Sequence, residues 1–179
     1  MKRFLTTLAF LTVLFFAGAC FGAGSLFQVT DDDVYYSPGN ALNRVVSRMI
    51  TLAFVADNGT GVIPSLVITE DAWTDGTLTG TLKHGSIEGW QLDKIDIDCN
   101  HGGTEPTEDS ELYVYQLGVD LLDANGVNMI DNTVERSVHF ATDGQPKRQD
   151  VVGAVTITVT QQAVVTNSAA GTLYLILVP

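Results

Sequence analysis

Asp96 and Asp98 stand two residues apart, with His101 just beyond them. Residues at i and i+2 of an extended chain point to the same side, so a strand here presents both carboxylates together. Paired carboxylates can serve glycoside hydrolysis, and clustered oxygens can hold calcium. The opposite parity carries Ile95, Ile97 and Cys99, which ask for a core. The plainer reading is therefore a half-buried strand whose aspartates face water. A second oxygen-rich stretch, Asp123, Asn125 and Asn128, has the look of half a calcium loop but lacks the closing glutamate. Read as backbone, Asp123-Ala124-Asn125-Gly126 is a hairpin turn signal. Asp96, Asp98, Asp123 and Asn125 are thus the metal candidates, carried by spacing alone. Trp73, Trp90, Tyr113 and Tyr115 would make a sugar-stacking platform if they shared an outer face; aromatics on strands more often fill a core.

Other chemistries lack their motifs. There is no Gly-x-Ser-x-Gly elbow, no His-Glu-x-x-His or Cys-x-x-Cys, no P-loop and no dinucleotide fingerprint. His84, His101 and His139 are isolated in sequence. The chain reads as non-enzymatic, with no cofactor expected. Its 9 Lys and Arg against 21 Asp and Glu give a formal charge of −12, which repels nucleic acid phosphates. Such a surface keeps a protein soluble and attracts cations. With 45% apolar and only 17% charged residues, the chain can bury a core.

The elements that must position these residues are strands. Residues 151–160 alternate strictly, with Val151, Gly153, Val155, Ile157 and Val159 on one parity and threonines at 156, 158 and 160 on the other. Residues 172–178 are apolar on both parities, which demands cover on both faces and a central place in a sheet or interface. Residues 45–56 form a core strand with Ile50, Leu52 and Phe54 on one face. Pro64 marks an edge or strand start before Leu66-Val67-Ile68. Residues 73–88 read as a polar hairpin punctuated by glycine. The next strand switches parity between Leu92 and Ile95, which calls for a bulge near Asp93-Lys94. Tyr113, Tyr115, Leu117, Val119 and Leu121 share a face in residues 112–122, and residues 127–130 form a short strand. Val134, Val138 and Phe140 make another inward set. The sum is an all-β chain, a single antiparallel β-sandwich of jelly-roll or immunoglobulin-like type with about seven to eight strands. At most one helical turn is expected, at residues 40–44.

The N-terminus reads as an export signal over residues 1–23. Lys2-Arg3 is the positive start, residues 4–16 are apolar or threonine, and Ala17-Gly18-Ala19 supplies small residues before a cut. Gly22-Ala23-Gly24 offers a second cut. An uncleaved membrane anchor is the alternative. Cys20 directly follows Ala19, as the lipidated cysteine of a bacterial lipoprotein follows small residues, although Ala17 stands where such a signal usually has leucine. Cys99 reads as a small buried hydrophobe at a strand end. Residues 24–44 read as an arm or linker, with Asp31-Asp32-Asp33 as a solvated charge run, and residues 45–179 as the sandwich.

The order of several motifs resembles a group of small virion structural proteins of tailed bacteriophages. The residues that carry it are Gly61-Val62-Ile63-Pro64, Gly89-Trp90 leading into a strand, and residues 100–107, which resemble that group's Asn-Pro-Gly-Ala-Thr-Ala-Pro-Thr loop with His101 in place of the proline. Leu122-Asp123-Ala124-Asn125-Gly126-Val127, Val152-Gly153-Ala154-Val155-Thr156-Ile157 and Asn167-Ser168-Ala169-Ala170-Gly171-Thr172 complete it. The resemblance implies a virion component that works by assembly. The export signal instead points to a periplasmic, cell-surface or extracellular setting for the same module. The expected partners are further copies of the chain or other surface or virion proteins, not nucleic acid. Membrane contact is expected only through an N-terminal lipid or anchor. The alternative function is a secreted β-sandwich that binds calcium or carbohydrate.

Overall fold

The computed structural model describes residues 25–37, 45–57, 61–98, 110–130, 134–142, 145–160 and 169–179. The expectations for residues 1–23 with Cys20, for residues 40–44, and for Cys99 and His101 lie outside these residues. In chain order the strands are β1 (Leu26–Tyr36), β2 (Val45–Val55), β3 (Leu66–Thr69), β4 (Ala72–Thr74), β5 (Thr79–Thr81), β6 (Gln91–Asp98) and β7 (Glu111–Gln116). Then come β8 (Val119–Asp120), β9 (Arg136–His139), β10 (Ala141–Thr142), β11 (Gln145–Pro146), β12 (Gln149–Asp150), β13 (Val155–Thr160) and β14 (Ala170–Val178). No helix occurs among the described residues.

The segment that is apolar on both parities, β14, takes the central place its pattern demands, between β2 and β6. The first sheet runs β1-β2-β14-β6, and the far edge of β6 is shared by β12 at one end and β9 along the rest. The second runs β5-β4-β3-β13-β7-β8, and β10 and β11 form a separate ribbon. All pairings among the described residues are antiparallel. The path crosses between sheets from β2 to β3, β5 to β6, β6 to β7, β8 to β9, β12 to β13 and β13 to β14. Strand order β2-β14-β6-β9/β12 facing β3-β13-β7-β8 is that of a jelly roll. To this core β1 adds one edge strand and the β4–β5 hairpin another. The described residues hold fourteen strands, more than the seven to eight expected; the excess comes from β1 and from segments of two or three residues, too short for alternation to mark them.

Period-2 patterning sets the packing. Ile50, Leu52 and Phe54 of β2, Ile95 and Ile97 of β6, and Leu173, Leu175 and Leu177 of β14 point inward and are buried. They meet Leu66 and Ile68 of β3, Leu112 and Val114 of β7, and Val155 and Ile157 of β13. Each such side chain contributes about 1.5–3 kcal/mol when fully buried. Phe27 meets Phe54 edge to face, centroids 5.8 Å apart. The bulge expected near Asp93-Lys94 is present: Ile176 pairs with Lys94 and Leu177 with Leu92, so Asp93 is the extra residue.

Residues 26–36, read as part of an arm, instead form the edge strand β1, paired with β2 along its length. A bulge at Thr30, whose hydroxyl donates to the Thr51 carbonyl at 3.2 Å, shifts the register. The shift turns Asp32 inward, so the middle of the acidic run is buried rather than solvated. Arg48, on the core face of β2, meets it with two parallel hydrogen bonds, Nε to Oδ1 at 2.8 Å and Nη2 to Oδ2 at 2.9 Å. The same guanidinium donates to the carbonyls of Gly85 (2.7 Å) and Ser86 (2.9 Å) and lies 5.7 Å from the Trp90 ring centroid. Asp32 also accepts the His84 amide at 2.9 Å. Burial alone would raise the Asp32 pKa, but the Arg48 and His84 hydrogen bonds and charges outweigh it and hold it below 3.8. The pair thereby straps residues 84–86 across the β1 edge, and Lys83 adds an outer ion pair to Asp33 at 2.9 Å.

A second tie joins the two sheets. Asp75 caps the turn between β4 and β5, accepting the amides of Thr77 (2.8 Å) and Leu78 (2.6 Å), and it also accepts the β1 amide of Phe27 at 3.0 Å.

Candidate functional site

Asp96 and Asp98 lie on the outer face of the first sheet. Register places Asp31, Thr51, Tyr174, Asp96 and Ser137 in one row across five strands. Around this row opens a cleft of about 440 Å³, lined by Met49, Asp96, Asp98, Glu135, Arg136, Ser137 and Tyr174, with Ile97 beneath. Lys94 donates to both oxygens of Asp96, at 2.8 and 2.7 Å, and the Ser137 hydroxyl donates to Asp96 Oδ1 at 2.6 Å. A carboxylate held this way is a structural acceptor rather than an available base or nucleophile. Burial, then the charges of Asp98 and Glu135, push the Tyr174 phenol above its ordinary pKa, so at neutral pH it stays a donor. The cleft therefore offers hydrogen-bonding groups to a polar ligand. Sequence spacing found Asp96 and Asp98; Glu135, Ser137 and Tyr174 arrive through strand pairing that no local pattern announces.

The metal candidates do not converge. Asp123 and Asn125 sit in the turns after β8, on the other sheet from Asp96 and Asp98. Asp123 and Ala124 both have positive φ (49° and 62°), and the Asn125 amide donates to the Leu122 carbonyl at 2.9 Å, a tight mirror-image turn. The carboxylate that organises it is Asp120, which accepts the amides of Leu122 (3.1 Å) and Ala124 (3.3 Å). Gly126 packs so closely on the Leu112 backbone that no Cβ fits. The turn reading of this stretch holds, and residues 127–130 contribute only a single bridge, Ile130 to Ser110, not a strand. Among the described residues no group of three or more His, Cys, Asp or Glu is placed to hold a metal ion. His84 and His139 are exposed, in the strapped loop and on β9.

The four aromatic candidates also part company. Trp73 is buried beneath Gly80, where any added Cβ would strike its indole, and Trp90 packs on Arg48. Only Tyr113 and Tyr115 face outward, their rings stacked 5.8 Å apart at 14°. The inward residues of β7 are Leu112, Val114 and Gln116, so the face read as Tyr113 through Leu121 is not one core face. Leu117 and Gly118 form the β7–β8 turn with φ of 52° and 79°, and Leu117 is 78% exposed. Val119 and Val134 are likewise exposed, whereas Leu121, Val138 and Phe140 are buried.

No family model, curated protein or solved structure matches this chain.

The outer face of the second sheet has a different chemistry from the first. Cross-strand pairing lines up Thr79, Thr74, Val67, Thr156, Tyr115 and Asp120 in one row over all six strands. Beside it Thr81, Ala72 and Thr69 align on one flank, and Ser65, Thr158 and Tyr113 on the other, with a Ser65–Thr158 hydroxyl contact of 2.9 Å. The carboxylates sit at the margins and are already engaged. Asp120 holds its turn, and Glu111 accepts the Tyr113 hydroxyl at 2.6 Å and the Thr160 hydroxyl at 3.4 Å. The Glu111 bond, then burial and nearby charge, push the Tyr113 pKa up to about 12. By contrast the outer face of the first sheet carries Asp31, Asp33, Lys94, Asp96 and Asp98 in register.

Proposed function

We propose that this protein is a non-enzymatic, exported structural or interaction protein, which acts through self-assembly or surface attachment. The observation that carries the reading is the charge segregation. A chain of net charge −12 keeps the middle of one sheet face free of charged residues and clothes it in threonine, serine, valine, alanine and tyrosine. Charge is depleted at the centre of protein interfaces, where tyrosine is enriched. The jelly-roll strand order and the resemblance of motif order to phage virion components support the same reading. A jelly roll alone does not specify function, since capsid proteins and lectins share it. The carboxylates of the cleft argue in the same direction, because Asp96 is consumed by Lys94 and Ser137 rather than poised beside a reacting group.

The second reading, a carbohydrate-binding module, draws on the open polar cleft around Asp96, Asp98 and Tyr174. One experiment separates the two. The exported chain is examined by sedimentation velocity from micromolar to millimolar concentration, alongside retention on insoluble polysaccharides. Concentration-dependent association without retention is the expected result. A monomer throughout, with polysaccharide retained, would replace the first reading by the second.

A further inference from the structure

We propose that the outer face of the second sheet is the contact between two copies of this chain, packed face to face across the row that contains Val67, Thr156 and Tyr115. The proposal rests on the assembly reading above and names its surface. Charge decides which surface two identical acidic molecules can share. On the first sheet, Asp31, Asp33, Asp96, Asp98 and Glu135 outnumber the bases that reach that face, Lys83 at Asp31 and Asp33, Lys94 at Asp96 and Arg136 in the cleft, so a second copy would bring excess carboxylates against carboxylates. Like-charge juxtaposition across an interface costs several kcal/mol. The β1 edge fails for the same reason, because antiparallel self-pairing would oppose its acidic run to itself. On the second sheet, the pairs Val67–Thr156, Thr156–Tyr115, Thr74–Thr79 and Thr158–Tyr113 bring no charge with them.

Geometry allows close approach. The outward side chains are mostly β-branched or small, with the stacked pair Tyr113–Tyr115 as the bulky feature. A two-fold contact meets the same patch on both partners; with its axis along β13, each tyrosine pair would lie over the small residues of β3 of its mate. Six strands spaced about 4.8 Å span roughly 24 Å. With strands of two to six residues at about 3.4 Å a residue, the patch is on the order of 400 Å² a side, the size of a weak contact. The contact is therefore weak in isolation and gains strength only by repetition in a larger assembly.

The test uses the exported chain and two variants of the central residue, Thr156→Glu and Thr156→Lys, followed by sedimentation velocity, with circular dichroism to confirm that each folds. Thr172→Glu, on the outer face of the first sheet, is the control. Wild type and the control should associate alike, each Thr156 variant roughly ten-fold or more weakly, and a mixture of the two Thr156 variants should recover association. If wild type associates and the Thr156 variants do so equally well, the contact lies elsewhere and only this surface assignment falls. If wild type stays monomeric at millimolar concentration, the self-assembly reading falls with it.

Discussion

Replacing Asp32 by alanine should cost this protein a large share of its stability. The guanidinium of Arg48 has no solvent exposure and makes four hydrogen bonds, two to Asp32 and one each to the carbonyls of Gly85 and Ser86. Removing Asp32 leaves a buried cation without its counter-charge, and breaking such a pair costs about 3–5 kcal/mol. It also leaves the His84 amide without its acceptor. Against a total stability of about 5–15 kcal/mol, and at about 2–4 °C per kcal/mol for a chain of this size, Tm should fall by roughly 6–20 °C. The double variant Asp32→Val with Arg48→Met removes both charges, and should be more stable than Asp32→Ala alone. It should not reach wild type, because two loop carbonyls and one amide still lose partners, at about 1–3 kcal/mol for each that stays dry. The pH dependence follows from the depressed Asp32 pKa. A carboxyl whose folded pKa lies below its unfolded value of 3.8 contributes stability above that value and loses it as pH falls toward the folded pKa. Urea denaturation followed by tryptophan fluorescence from neutral pH down to pH ~3 should therefore show the gap between wild type and Asp32→Ala narrowing below pH ~4. A loss under about 1 kcal/mol in Asp32→Ala, or a double variant as unstable as the sum of its singles, would refute the account of the strap.

Two further predictions rest on backbone geometry. Asp75→Ala should destabilise by about 1–3 kcal/mol, because the amides of Phe27, Thr77 and Leu78 lose one shared acceptor; urea midpoints check this, and Asp75→Asn should recover part of the loss. Leu117→Asn should leave stability unchanged or raise it by about 1 kcal/mol, since an exposed leucine at φ 52° has little packing to lose and asparagine tolerates that conformation better. A clear fall in the thermal midpoint would mean that the Leu117 side chain holds the turn.

Much of the fold was legible because its long strands obey their periods. The apolar run of β14 places it centrally, the parity switch at Asp93 places its bulge, and alternation in residues 155–160 sets β13 against the core. Residues 26–36 of the expected arm are a paired strand, and the solvated reading of Asp32 failed at Thr30. One extra residue there reverses every later side chain of β1, and nothing local announces it. Arg48 could have been found, since it shares parity with Ile50, Leu52 and Phe54; an arginine in a core row asks for a buried acid, and Asp32 is the one the fold supplies. The orientation of β7 was ambiguous for a different reason. Leu112 and Val114 on one parity are as apolar as the tyrosines on the other, and only the tyrosine hydroxyls, one of which reaches Glu111, break the tie. The cleft was half visible. Its aspartates were near in sequence, but Tyr174 and Ser137 come from strands tens of residues away.

The central position of β14 also governs when this molecule can become a sandwich at all. β2 and β6 do not touch each other within the first sheet; each is hydrogen-bonded to β14, which lies more than 110 residues beyond the end of β2. Until residues 170–178 exist, both strands have an open inner edge, and the chain can assemble only fragments around local hairpins such as β3–β4–β5. Closure at such long sequence separation is slow. A chain that cannot fold before its final strand is made remains threadable. Under the proposal that residues 1–23 act as an export signal, the native sheet would form only after the whole strand set had reached the same side of the membrane.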